Sequence, residues 1–135
     1  MPGSYSDYLE NKLLDHWLGG PDYSRPATVY LALFTVAPDD AGAGGTEVSG
    51  GSYARLAVTN NATNFPAAAG GSKSNALALT FATASADWGI IVSAALYDAA
   101  AAGNFLAHAP LLINRKVRAG DAALFPAGSL IFTNT

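Results

Sequence analysis

The sequence predicts an all-β chain: a jelly-roll-like β-sandwich of seven or eight strands with one N-terminal amphipathic helix. Three observations predict it. Short runs rich in Val, Leu, Ile, Phe and Tyr recur from residue 28 onward, each bounded by Gly, Pro, Asn or Asp. That is the spacing of a sandwich or jelly roll. Only one segment has helical periodicity, so strands do not alternate with helices as a parallel α/β sheet requires. The chain has 135 residues, half of them apolar, which suits a single domain (1–135) with its own core.

The elements follow in order. Residues 4–19, S-Y-S-D-Y-L-E-N-K-L-L-D-H-W-L-G, place Leu9, Leu13 and Trp17 at i, i+4 and i+8, with Leu14 and Leu18 widening the stripe. Ser4 with Asp7 reads as a capping-box-like start, and Gly19-Gly20-Pro21 as the stop. A lone helix of this length is marginal in water, so it must dock on something. The β-sandwich is expected over 28–134. T-V-Y-L-A-L-F-T (28–35) is apolar on both faces, as a central strand is. Residues 37–52 form a long Gly-rich loop. Y-A-R-L-A-V-T (53–59) alternates, and 60–74 is a second long loop with Phe65-Pro66 as a short edge piece. N-A-L-A-L-T-F (75–81), G-I-I-V-S-A-A-L-Y-D (89–98) and F-L-A-H-A-P-L-L (105–112) read as strands. K-V-R-A-G-D-A-A-L-F (116–125) reads as a hairpin turning at 119–121, and S-L-I-F-T-N (129–134) closes the set. Loops as long as 37–52 and 60–74 on a small sandwich are usually functional or mobile.

Composition narrows the function. Charged residues make up 13% of the chain, against about 25% in ordinary soluble domains. A surface so poor in charge suits a protein partly covered by partners. Net charge is −3 with pI near 5.0, and mean hydropathy is +0.22. The basic cluster Arg115, Lys116 and Arg118 reads as a solvated face, so no nucleic-acid partner is expected. No run is long enough to span a membrane, and the start lacks the basic and apolar regions of a signal peptide. There are no cysteines, which removes disulfides, Cys-ligated zinc and thiol catalysis and leaves the redox compartment open.

No motif in the chain carries recognisable catalytic or ligand-binding chemistry. The glycines of 42–51 precede a strand, not a helix, and no lysine follows them, so they are not a phosphate-binding loop. His16 and His108 stand 92 positions apart in the sequence, without metal-ligand spacing. No G-x-S-x-G elbow is present, and most of the aspartates sit in turns, where they bond their own backbone. Asp87-Trp88 reads as the opening of a core strand ahead of a sugar-stacking pair. No cofactor, no metal and no enzymatic activity are expected. Arg55, inside an apolar run, has two readings: an outward side chain lying along the sheet, or an anchor pairing with a carboxylate or carbonyls across an interface.

Several stretches then carry a resemblance. P-G-S-Y-S-D-Y-L-E-N-K-L-L-D-H, A-T-V-Y-L-A-L-F-T-V-A-P-D-D-A-G, G-G-T-E-V-S-G-G-S-Y-A-R, A-V-T-N-N-A-T-N-F-P-A-A, A-D-W-G, L-Y-D-A and V-R-A-G-D-A-A-L-F-P-A-G-S-L span nearly the whole chain. Together they resemble a family of small virion proteins of tailed bacteriophages often labelled "tail fibre protein", and within it the capsid cement (decoration) type of a Bordetella phage. K-V-R and the alanines at 99–102 depart mildly from that pattern. The resemblance implies a jelly-roll protein with no catalytic residues, sitting on the outer surface of the icosahedral head. It further implies the major capsid protein and a second copy of itself as partners, a homodimer with a trimer as the other option. The alternative is a tail-fibre or baseplate module that binds host carbohydrate. Tyr5, Tyr8, Leu9, Leu13 and Trp17 on the helix, with Tyr53 and Arg55 after the first loop, are the candidate partner-interface residues, because Trp and Tyr are frequent hot spots. The helix or the 37–52 loop is expected to carry the capsid contact.

Overall fold

The computed structural model describes residues 2–133; Asn134, expected in the last strand, lies outside them. The chain is all-β with one helix near the N-terminus. Its elements are β1 (Pro2–Tyr5), α1 (Asp7–Trp17), β2 (Thr28–Val36), β3 (Thr46–Glu47), β4 (Leu56–Thr59), β5 (Ser72–Ser74), β6 (Leu79–Thr80), β7 (Gly89–Tyr97), β8 (Phe105–Val117), β9 (Leu124–Phe125) and β10 (Ile131–Thr133).

One sheet runs β3-β2-β7-β8-β1-β10-β5, with β4 also on the free edge of β2; β6 and β9 form a separate pair. β2 and β7 are its centre. Each is a run of small and branched apolar residues, and both their faces are covered. Leu31 and Leu33 of β2 are buried on one face, Ala32 and Phe34 on the other. The Leu31 face packs with Ile91, Phe81, Trp88, Phe125 and Leu130, so the β6–β9 pair and the β10 end lie across β2 and β7. That gives the two layers of a sandwich. β1 links the layers. Ser4 and Tyr5 pair antiparallel with His108 and Ala107, while Pro2 and Gly3 pair parallel with Ile131 and Phe132.

Four sequence expectations are corrected. The helix begins at Asp7 and not near Ser4, because Pro2–Tyr5 is taken by the sheet. Its N-cap is Ser6, whose hydroxyl accepts from the Leu9 N–H and donates to the Phe105 carbonyl. One buried side chain thus caps the helix and ties it to β8. The 116–125 hairpin is the second correction. Its turn forms, with the Asp121 N–H donating to the Arg118 carbonyl. Its arms do not pair with each other: β8 pairs with β7, and β9 with β6. Third, the strand expected over 53–59 begins at Leu56, opposite Leu31, because the Tyr53 N–H closes a turn on the Gly50 carbonyl at 3.0 Å instead of joining a ladder. Fourth, the strand expected over 75–81 shrinks to β6, because the Asn75 amide bonds the Leu77 and Pro126 carbonyls instead of leaving 75–77 to a ladder.

The 37–52 loop is no free arm. Pro38 and Val48 are buried. Gly51 (φ +59°) lies so close to its neighbours that a Cβ there would stand 2.9 Å from the Ala86 carbonyl and 3.0 Å from the Trp88 ring. Its carbonyl accepts the Trp88 Nε1–H at 2.9 Å. The glycine permits close approach, but the chain approached is its own.

Candidate functional site

Two regions carry the residues that the sequence singles out. The first surrounds Arg55. Its guanidinium makes a two-pronged pair with Glu47, Nε to Oε2 and Nη2 to Oε1, both at 2.9 Å. Nη1 donates to the carbonyls of Ala99 at 3.0 Å and Ala102 at 2.8 Å. The guanidinium carbon sits 3.7 Å from the centroid of the Tyr97 ring, within cation–π range. Tyr53 completes the group: its hydroxyl donates to Glu47 Oε2 at 2.7 Å and accepts the Leu33 N–H at 3.0 Å. The Arg55 side chain is only 8% exposed.

The electrostatics follow from this geometry. Burial would raise the Glu47 carboxyl, but hydrogen bonds from Arg55 and Tyr53, with the charge of Arg55, outweigh it and hold the group below the usual carboxylate value. The hydrogen bond to Glu47 raises the Arg55 value. Burial first, then the bond to Glu47, raises the Tyr53 phenol. Every member stays in the protonation state that the bonds require at neutral pH. The arrangement fastens the 98–104 loop, where Ala102 has φ +51°, to β3 and the start of β4. Arg55 thus has the anchor chemistry expected of it, a carboxylate and carbonyls, with all the partners inside the chain. Glu47, Tyr97 and the two alanine carbonyls are the members that sequence reasoning missed; the signal was an acid eight positions before the arginine.

The second region is α1. Its N-terminal half is docked: Tyr8 and Leu9, both half-buried, pack against Val29, Val58, Phe65 and Leu106. Tyr5 is half-buried with its backbone paired to Ala107, and Leu13 is half-buried. The C-terminal half is not docked. Leu14 is 53% exposed, Trp17 71% and Leu18 61%. No helix residue is fully buried. The predicted stripe exists, and the domain uses only its first turns.

His108 Nε2 meets Asp40 Oδ1, and His16 Nδ1 accepts the Tyr23 N–H, so the two histidines do not converge. Asp7, Glu10 and Asp40 bring exposed carboxylates within 4.8 Å of one another, where the helix N-terminus favours negative charge. Trp88 is buried, as a core-strand tryptophan should be. No helix among the described residues is long and apolar enough to cross a membrane.

Comparison with known proteins adds one finding. A family model described as "Podophage GP4 fiber I protein gp80" matches residues 4–133. No match was found among curated proteins.

Proposed function

Because the chain belongs to the podophage GP4 fiber I protein gp80 family, a family of phage virion proteins, we propose that it is a cement (decoration) protein that binds the outer surface of the assembled phage head, with the exposed end of α1 as its foot on the major capsid protein. The observation that carries this reading is the trio Leu14, Trp17 and Leu18, left in solvent by a helix whose other half is firmly seated. An exposed apolar set with one tryptophan suits lasting attachment to a protein surface. It offers few of the hydrogen-bonding groups with which a carbohydrate site reads hydroxyls. A cement protein stabilises by mass action: whatever binds only the assembled shell favours that shell, and many weak copies act together.

The test is co-sedimentation of the purified chain with assembled heads and with free capsid subunits, with electron microscopy locating the bound copies. Wild type should bind assembled heads, and the combined Leu14→Ser, Trp17→Ser, Leu18→Ser variant should not. Equal binding by the variant, or copies found on the tail and none on the head, would overturn the reading. Point substitutions are needed because removing residues 1–20 would also remove β1 and the Ser6 tie to Phe105.

The word "fiber" in the family's description supports a second reading, a tail-fibre module, for which host carbohydrate would be the ligand. A cleft of about 320 Å³ edged by Tyr8, Tyr97, Asp40 and Asn104 is the place where a sugar would fit. Glycan-array binding that Tyr97→Ala abolishes would favour it.

A further inference from the structure

At the end of β8 away from Ser6 and α1, the sheet leaves backbone uncovered. β8 runs for 13 residues, yet β1 lies along its outer edge only at Ala107 and His108. On the inner edge Ile91 pairs with Arg115 and Ser93 with Pro110, and nothing between Pro110 and Arg115 has a partner in β7. Among the described residues, Leu111 to Asn114 are therefore strand without a ladder. Bulges and charged side chains usually blunt such an edge. This bulge instead carries Leu112, 81% exposed, and Ile113, 66% exposed. Beside it runs an open groove of about 480 Å³, with the buried Leu33, Ile91 and Phe125 in its floor. The consecutive residues Leu111, Leu112 and Ile113 all border the groove. Consecutive side chains leave a strand on opposite faces, so β8 lies along the groove by its edge. Arg115 lines the groove too. As the cross-strand partner of Ile91 it leaves the sheet on the same face, while Lys116, the partner of Ile90, leaves on the other. Arg115 is exposed and belongs to none of the ion pairs among the described residues. Asp121 across the groove is already engaged, its Oδ2 accepting the Arg118 N–H at 2.9 Å.

We propose that this groove takes an extended peptide segment of a different protein, which adds a short strand along Leu111–Asn114. Three features select that occupant. Unpaired N–H and C=O groups along a strand edge are answered by another backbone, which a lipid does not supply. Every second side chain of an added strand points the same way, and the floor of Leu33, Ile91 and Phe125 calls for apolar residues at those positions. Arg115 has no acid of its own and calls for one in the segment. The partner is therefore a stretch that is apolar at alternate positions and carries an Asp or Glu. A second copy of this chain suits the groove less well. All its described strands are already paired in its own fold, and its matching edge would bring Arg115, Lys116 and Arg118 against their like. The site shares no residue with the exposed end of α1, so it operates whichever part of the virion the protein occupies.

The experiment is done by NMR on the isolated full chain. The probes are capped hexapeptides that alternate Val and Thr and carry one Asp, placed at each position in turn. At least one should shift the amide signals of Leu111 to Arg115 and slow hydrogen exchange at the Leu112 and Ile113 amides by about tenfold or more. The same peptides with Lys in place of Asp should bind about fivefold more weakly, the upper scale of an exposed ion pair. Peptides N-methylated throughout cannot donate to the edge and should not bind. Arg115→Glu, altered at an exposed position, should reverse the preference, so that the Lys peptides bind better. Trp17→Ser should bind the peptides like wild type, which separates this site from the one on α1. Four results would each overturn the proposal. They are no binding by any of the peptides at millimolar concentration, equal binding by the methylated set, an Arg115→Glu variant that keeps the preference for acid, and exchange at Leu112 and Ile113 that slows with protein concentration alone, which would give the edge to a second copy.

Discussion

Arg55 and the end of α1 invert the usual rule. A guanidinium is almost wholly enclosed, and a tryptophan with two leucines is left in water. The difference lies in what each finds within the chain. Arg55 finds a carboxylate, two carbonyls and an aromatic face, which together replace the water that it loses. Trp17 is left 71% exposed, because the cluster of Val29, Val58, Phe65 and Leu106 is covered by Tyr8 and Leu9 from the first turns of the helix. Residue type alone does not tell a structural group from an adhesive one; the completeness of its contacts does.

Four measurements can break or sharpen this contrast. The largest effect is expected from Arg55→Ala, which leaves Glu47 partly buried without its cation. Chemical denaturation should show a loss of about 3 kcal/mol, at the low end for breaking an enclosed pair. Arg55→Lys should recover only part of it, since an ammonium cannot form the two-pronged pair and also reach both alanine carbonyls. Tyr53→Phe comes next. It removes a donor to Glu47 and the acceptor of the Leu33 N–H, and should cost about 1–2 kcal/mol.

A smaller effect is expected from pH. Glu47 has its folded value depressed. Its contribution is therefore present above the unfolded carboxylate value of about 4.3 and is lost as pH falls through the lower folded value. The stability gap between wild type and Glu47→Gln should hold at neutral pH and narrow progressively below about pH 4. A gap that stays constant to lower pH would remove the ion pair from the account. The smallest change in stability should come from Trp17→Ser, within about 0.5 kcal/mol as for exposed sites, while on the proposed role head binding should fall. If that variant unfolds, the helix end is part of the fold after all.

These contrasts also mark where the sequence could be read. β2 and β7 were legible because both faces are apolar over their whole length, and the structure gives them nearly the predicted bounds. β1, β3 and β5 were not. P-G-S-Y, T-E and S-K-S carry no periodicity, and they become strands only because a distant edge is there to pair with. The helical stripe was legible, but not which half of it would stay exposed, since that depends on where the sheet stops. For Arg55 the chemistry was legible and the address was not: the glycines between Glu47 and Arg55 let the chain turn back, and no pattern in them names the acid as the partner. The 116–125 turn was read correctly while its arms were not, because local turn chemistry fixes a bend and says nothing of which strand lies alongside.

The placement of β1 has a consequence in time. It pairs with β10 at Ile131 and Phe132 as well as with β8, so Pro2 and Gly3 wait for partners made far later in the chain. At about 5–20 residues per second, synthesis separates the two by on the order of ten seconds. Until β10 is made, the edge of β1 that it covers stands open. Pairing this distant in sequence is slow in its own right. Newly made copies therefore pass through a stage in which open strand edges and the exposed helix end coexist, and crowding at high expression should divert some of them into aggregates before any virion surface is met.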